Sequence, residues 1–344
     1  MVRLLLSLLP LTVLFPAFFT VAQDIGGPGP VTQAVMERGK LVCGANAQLV
    51  GFGAVNSSGQ YQGFDIDICR AVAAAVLGDA NAVAFRPLVG TERQAALQGG
   101  EIDMMSRNTT WTLSRDAVWG AIFGPTTFYD GQGIGTRVGY GISTIEGLDG
   151  GSICVGQGST TELNISDAVA TRGLEITVLT FPDAFSTWQA YLDGRCDAWT
   201  SDKSALLARH ATAPDPAAHV LLDITLSKEP LGPLSPQSDP QFAEIIAWTV
   251  YGLFTAEEHG ITSANVDDFL DSDNPGIQRL LGQSGNASGS YLGIANGFMV
   301  EVIRQVGNYG EIFERNLGVP PFNLERGINA LWTDGGLLYA PPFR

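Results

Sequence analysis

The chain has 344 residues, 45% of them hydrophobic and only 16% charged, with a formal net charge of −16. That length is enough for two domains of ordinary size. The acidity argues against a nucleic-acid binder, because phosphate binding needs a basic face.

The first residues read as a secretory signal peptide. Arg3 gives a short positive start, residues 4–19 are apolar, and Thr20, Val21 and Ala22 offer a small-residue cleavage site before Gln23. The alternative is a retained anchor, but Pro10 and Pro16 interrupt a run already short for a span. Export is therefore expected, with residues 1–22 removed and a net charge of −17 on the rest.

Four cysteines suit an exported protein with disulfides, and four allow three pairings. Cys43 lies in a strand-like run and Cys69 in the helix that follows, while Cys154 and Cys196 lie in two strand-like runs of one later segment. The expected pairs are Cys43–Cys69 and Cys154–Cys196. The competing metal-site reading lacks a C-x-x-C, and the histidines (His210, His219, His259) are scattered. No metal and no cofactor are expected.

After a Gly/Pro-rich lead-in at 23–30, residues 40–45 read as the first strand. A turn at 56–59 precedes a helix starting near Gly63, with Asp65 as N-cap candidate and Gly78 as its end. Residues 82–88 form a second strand. A capping-box pattern at 91–94 opens a helix that ends at Gly99 and Gly100, and 102–105 is the third strand. This alternation marks a three-layer α/β lobe.

Residues 128–138 are extended and broken by glycine, which suits a crossover. The pattern then restarts: strand 151–156, helix from 158–161, strand 175–179, helix 183–192, strand 196–200 and a helix opened by Ser201 and Asp202. Residues 218–225 return to the first lobe, and helices are expected at 248–258, 266–270 and 298–314. The expected division is 23–131 with 227–344 as lobe 1 and 132–226 as lobe 2.

Sheets of this kind place ligands beyond the carboxyl ends of their strands. Three such ends stand out: 106–115, 156–162 and 200–202. The first brings Ser106, Asn108, Thr109, Thr110 and Arg115, a set able to cradle a carboxylate through a planar guanidinium and hydroxyls. Its plain alternative is a polar loop with Arg115 solvated. The second, with Ser159, Thr160 and Thr161, opens a helix whose N-terminus favours an anion, although Ser159 or Thr160 can equally be an N-cap. Asp202 is an N-cap or a countercharge for an ammonium. Taken together, an arginine, a helix start and an aspartate describe the two ends of an α-amino acid. Enzyme motifs such as Walker A, H-E-x-x-H and G-x-S-x-G are missing, and Glu162 reads as a helix-start glutamate more than a base. The sequons at Asn56, Asn108, Asn164 and Asn286 read as chance.

The runs GFDIDICRAVA (63–73), LSKEPLGP (226–233), GITSANV (260–266), VGNYGE (306–311) and ALWTDGGLLYAPPFR (330–344) carry a family resemblance over nearly all of the expected mature chain. The sequence resembles the periplasmic solute-binding proteins of polar amino-acid ABC transporters, and most closely the general L-amino-acid binding proteins. The resemblance implies the type II periplasmic binding protein fold, two three-layer α/β/α lobes joined by two hinge strands. It also implies a periplasmic location, a monomer, no catalytic residues, and docking on the permease subunits of a transporter. By position, Arg115 would grip the ligand carboxylate, shared with Thr110 and the Thr160 backbone. Asn108 would help hold the amine, with Asp202 as countercharge. Leu49, Phe52, Arg107 and Thr161 fall where the side-chain pocket lies. Leu49 stands where narrower relatives carry an aromatic, Phe298 replaces an expected tryptophan, and Pro236 an expected arginine. Two rivals share the fold: an exported dehydratase of the cyclohexadienyl type, which would need Glu162 as its base, and a sensor subunit serving a receptor.

Overall fold

The computed structural model describes residues 27–283 and 288–344. The expected signal peptide at 1–22 and the sequon at Asn286 lie outside those residues.

Two five-stranded sheets organise the molecule. The first has the order Val83–Pro87, Leu41–Ala45, Met104–Met105, Leu234–Pro236, Ala121–Phe123. Its first three strands are parallel, and Leu234–Pro236 runs antiparallel to both neighbours. The second has the order Thr177–Phe181, Ser152–Gly156, Ala198–Asp202, Gln132–Arg137, His219–Leu221. It repeats the scheme, with three parallel strands followed by Gln132–Arg137 running antiparallel. Between the sheets lies a separate antiparallel pair, Phe128–Asp130 with Glu229–Leu231, in which Asp130 faces Glu229. The chain passes from one sheet to the other along these two strands, one outward and one back. This is the α/β, two-lobe architecture with paired hinge strands.

Packing explains the local choices. The helix Phe64–Leu77 is buried along nearly its whole length and ends at Gly78 in the left-handed region, φ 72°. Helices Pro240–Glu258 and Phe298–Val306 pack against it, so the C-terminal third completes the first lobe's core. Phe298 is buried there. Gly135 of Gln132–Arg137 makes room for a ring: a Cβ on it would lie 2.1 Å from the indole of Trp199 on the paired strand. Both disulfides form as expected, Cys43–Cys69 and Cys154–Cys196, with Cα separations of 6.2 and 5.7 Å, one tying each lobe. The hinge strand is pinned by the C-terminal segment, where Asn329 Oδ1 accepts from Tyr129 N at 2.6 Å and its Nδ2 donates to Tyr129 O at 3.1 Å.

Several local expectations need correction. Asp65 does not cap its helix. Gly63 is the N-cap, and the Asp65 carboxylate instead accepts from Asn108 N at 2.7 Å and from the Ser106 hydroxyl at 3.2 Å. No capping box opens the helix Arg93–Gln98, because Glu92 turns back to accept from Val89 N at 2.9 Å. The helix expected over 298–314 breaks at Gly307, φ 87°, and restarts at Tyr309–Phe313 with Asn308 in a capping box with Glu311. Residues 266–270 wind as the 3-10 turn Val266–Phe269, and the helix expected from 248 starts at Pro240 with Asp239 as its cap.

Candidate functional site

The cleft between the sheets is lined by residues of both, with an empty volume of about 810 Å³, part of it open to solvent. Its floor is built from strand ends. Met104–Met105 leads into the loop 106–112, where Asn108 holds φ 33°, an uncommon conformation for a side-chain-bearing residue. The Asp65 carboxylate fixes that turn through Asn108 N. Thr112 then caps the helix Leu113–Val118 by accepting from Arg115 N at 3.3 Å. Arg115 consequently points inward. It is buried, its Nη1 donates to Thr110 O at 2.9 Å, and its guanidinium lies 5.2 Å from the Trp119 ring centroid. Burial depresses its pKa, and Asp202 and Glu229 push the other way.

The second lobe supplies the facing wall. Ser159 caps the helix Thr160–Arg172, accepting from Glu162 N at 3.1 Å, and its hydroxyl lies 2.8 Å from that of Thr161. The cleft therefore meets a 13-residue helix at its N-terminus. Asp202 precedes the helix Lys203–Ala211 but makes no side-chain cap. That role falls to Asp130 on the hinge strand, which accepts from Ser204 N at 3.3 Å and Ser204 Oγ at 2.5 Å. The Asp202 carboxylate is thus left for the cleft, where Asn108 Nδ2 approaches it at 3.5 Å. Burial raises the Asp202 pKa well above the usual carboxylate range, and the nearby Asp130 and Glu229 raise it further.

The loop and helix termini meet in one place. Leu49, Arg107, Asn108, Thr110, Arg115, Ser159, Thr160, Thr161 and Asp202 all line the cleft. Phe52 does not. It sits in the first lobe's core, with its ring centroid 6.0 Å from Phe64 and 5.2 Å from Phe128. Arg107 is buried, and its Nε donates to Leu88 O at 2.8 Å. Glu162 is absent from the lining, and its carboxylate accepts from Gly158 N at 2.7 Å.

Sequence reasoning missed three features. Arg93 and Arg209 line the cleft, one from each lobe, without any local motif to mark them. Glu229, in the hinge strand, is buried and accepts four hydrogen bonds. These come from Thr110 Oγ1 at 2.6 Å, Thr160 Oγ1 at 2.9 Å, Asn164 Nδ2 at 2.8 Å and Ser227 Oγ at 2.5 Å. Its place in LSKEPLGP was visible, but apart from Ser227 its partners lie 65 to 119 residues away in the chain. Because Thr110 and Thr160 give their hydroxyl protons to Glu229, the hydroxyls in this arrangement act as spacers beside the carboxylate site.

Two α/β lobes that face each other over a charged cleft, joined by a paired crossover, define a solute-binding protein. The sequence model of the bacterial extracellular solute-binding proteins, family 3, matches residues 41–280. The chain is 47% identical over 312 residues, 90% of its length and 92% of the relative's, to the general L-amino acid-binding periplasmic protein AapJ of Rhizobium johnstonii. It is 45% identical, with the same coverage, to the glutamate/glutamine/aspartate/asparagine-binding protein BztA of Rhodobacter capsulatus. Among solved structures, an ABC transporter periplasmic binding protein from Brucella ovis with glutathione bound superimposes with a TM-score of 0.88. That match is at 44% identity and covers 91% of this chain and 99% of that one. The chain belongs to family 3 of the bacterial extracellular solute-binding proteins, and it is a binding protein and not an enzyme.

Proposed function

We propose that this chain is the periplasmic substrate-binding component of an ABC transporter for L-amino acids, exported by a cleaved signal peptide at 1–22 and delivering its ligand as a monomer to the permease subunits. Residues 23–131 and 227–344 form one lobe and 132–226 the other, and the lobes close on the ligand. The observation that carries this reading is the placing of two buried side chains, Arg115 and the non-capping Asp202, in one cleft. Arg115 takes the α-carboxylate, shared with the Thr160 end of its helix, and Asp202 with Asn108 takes the α-ammonium. Leu49, Arg107 and Thr161 border the ligand side chain. The named ligands of AapJ and BztA carry that zwitterion, and the glutathione of the Brucella ovis protein presents the same pair on its glutamyl end.

Calorimetry on the full processed chain tests the assignment. Arg115→Ala or Asp202→Asn should weaken binding by about 2–5 kcal/mol, because each leaves a ligand charge buried without its partner. Unchanged affinity for both variants would remove the clamp.

A further inference from the structure

The cleft holds more positive charge than the zwitterion alone uses. Arg93, Arg107, Arg115 and Arg209 line it, against Asp183 and Asp202. Asp183 Oδ1 is already taken by Phe185 N and Ser186 N, each at 2.8 Å. None of the four arginines is in an ion pair among the described residues. Three of them rest on neutral acceptors. Arg107 and Arg115 each reach one backbone carbonyl, and Arg93 makes long bonds to Gly90 O, Thr109 Oγ1 and Gly158 O at 3.2, 3.4 and 3.5 Å. Arg209 has less. Its Nη2 is buried with no hydrogen-bond partner among the described residues. A buried guanidinium N–H without an acceptor carries its full desolvation cost, so an acceptor is expected where it points.

Mutual repulsion strengthens the point. Burial lowers the Arg93 pKa most, and the neighbouring Arg107 and Arg115 lower it further. Once Arg115 and Asp202 have taken the two ends of an amino acid, Asp183 is the one carboxylate left among the described residues lining the cleft against Arg93, Arg107 and Arg209, and it acts on Arg209 only at a distance, without an ion pair. A guanidinium matches a carboxylate through two parallel N–H donors.

Resting on the zwitterion reading above, we propose that Arg209, opposite Arg93 and Arg107, forms a second carboxylate subsite, and that the preferred ligand is an L-amino acid with an acidic side chain. The α-ends fill the Arg115–Asp202 clamp, and the side-chain carboxylate takes the unpartnered nitrogen of Arg209.

Calorimetry with L-glutamate, L-aspartate, L-glutamine and L-asparagine tests this, since each acid and its amide differ only at the proposed contact. The parent should bind each acid at least about thirtyfold tighter than its amide, the lower range of a truncated buried charge pair. Arg209→Gln should bring the ratio close to one by weakening the acids. Arg209→Lys should restore part of it, as a point charge without the fork. Equal binding of acid and amide by the parent, which needs no variant, would overturn the subsite. So would Arg209→Gln weakening acid and amide by the same factor. In both cases the amino-acid reading stands. If none of the four ligands binds the parent but other L-amino acids do, the subsite falls and the amino-acid reading stands; if no L-amino acid binds, both fall.

Discussion

At the scale of single residues, the charged pair across the cleft has a consequence in protons. Asp202 is an acid whose pKa burial raises, with Asp130 and Glu229 adding like charge. Asp130 is itself pushed up to about 6 by burial. A ligand ammonium beside Asp202 favours the charged form and so lowers that pKa. Between the liganded and free values, binding must release a proton, and affinity must fall as pH drops through the free value. Calorimetry over a pH series rising from the usual carboxylate range, in two buffers of different ionisation enthalpy, should therefore give different apparent enthalpies within that window, and Asp202→Asn should shrink the difference. Identical enthalpies for the parent at every pH would mean that Asp202 does not change its proton on binding. The sequence showed the candidates Arg115, Asn108 and Asp202 because each sits at a strand end or helix start. It did not show which aspartate caps the helix Lys203–Ala211. That depends on Asp130 arriving from the hinge, 74 residues away along the chain from Ser204. Phe52 was misplaced for a related reason: an aromatic beside a cleft loop packs wherever other rings are, here Phe64 and Phe128.

At the scale of elements, the two lobes are joined by more than the hinge strands. Glu229 binds Thr110 of one lobe and Thr160 and Asn164 of the other through one carboxylate. Glu229→Ala would remove all four acceptor contacts and leave four donors, all at least partly buried, to find water. At about 1–3 kcal/mol for a hydrogen bond to a charged group or an orphaned buried donor, ligand affinity should fall at least about tenfold. Solution scattering should show a larger ligand-free particle. Gly90 marks the second close approach. A Cβ there would meet the backbone carbonyl of Gln157 at 2.7 Å, and backbone cannot swing aside as a side chain does. Gly90→Val should hold the lobes apart, weakening ligand binding and, like Glu229→Ala, giving a larger ligand-free particle in solution scattering. An unaltered affinity would show that binding does not need this approach. Strand and helix periodicity alone exposed most elements near their true bounds. It failed where the chain breaks a continuous apolar pattern, as at Gly307, because a left-handed glycine and an Asn308 cap interrupt a run that periodicity reads as one helix.

For the whole molecule, the repeated sheet scheme means that each lobe must be stable enough to move as a body against the other. Each carries one disulfide, and the pairing was legible because each pair falls within the chain segment of a single lobe. The loops they close span 26 and 42 residues. In the chain-entropy model, the bonds contribute about 3.5 and about 4 kcal/mol. Ligand acts on stability by mass action and engages both lobes at once: at a free concentration a hundred times the Kd it adds about 2.7 kcal/mol, and at a thousand times about 4.1 kcal/mol. The two effects can be set against each other. The double variant Cys154→Ser, Cys196→Ser should lose about 4 kcal/mol of stability in its lobe. Ligand at a hundred times the Kd should fall short of restoring the parent's ligand-free melting temperature, and ligand at a thousand times should reach it. The comparison is made by thermal unfolding of parent and variant over that concentration range, with the Kd of each measured separately. If the variant binds with the parent's affinity but ligand never raises its melting temperature, the lobe held by Cys154–Cys196 unfolds independently of the cleft, and the ligand does not couple the two lobes.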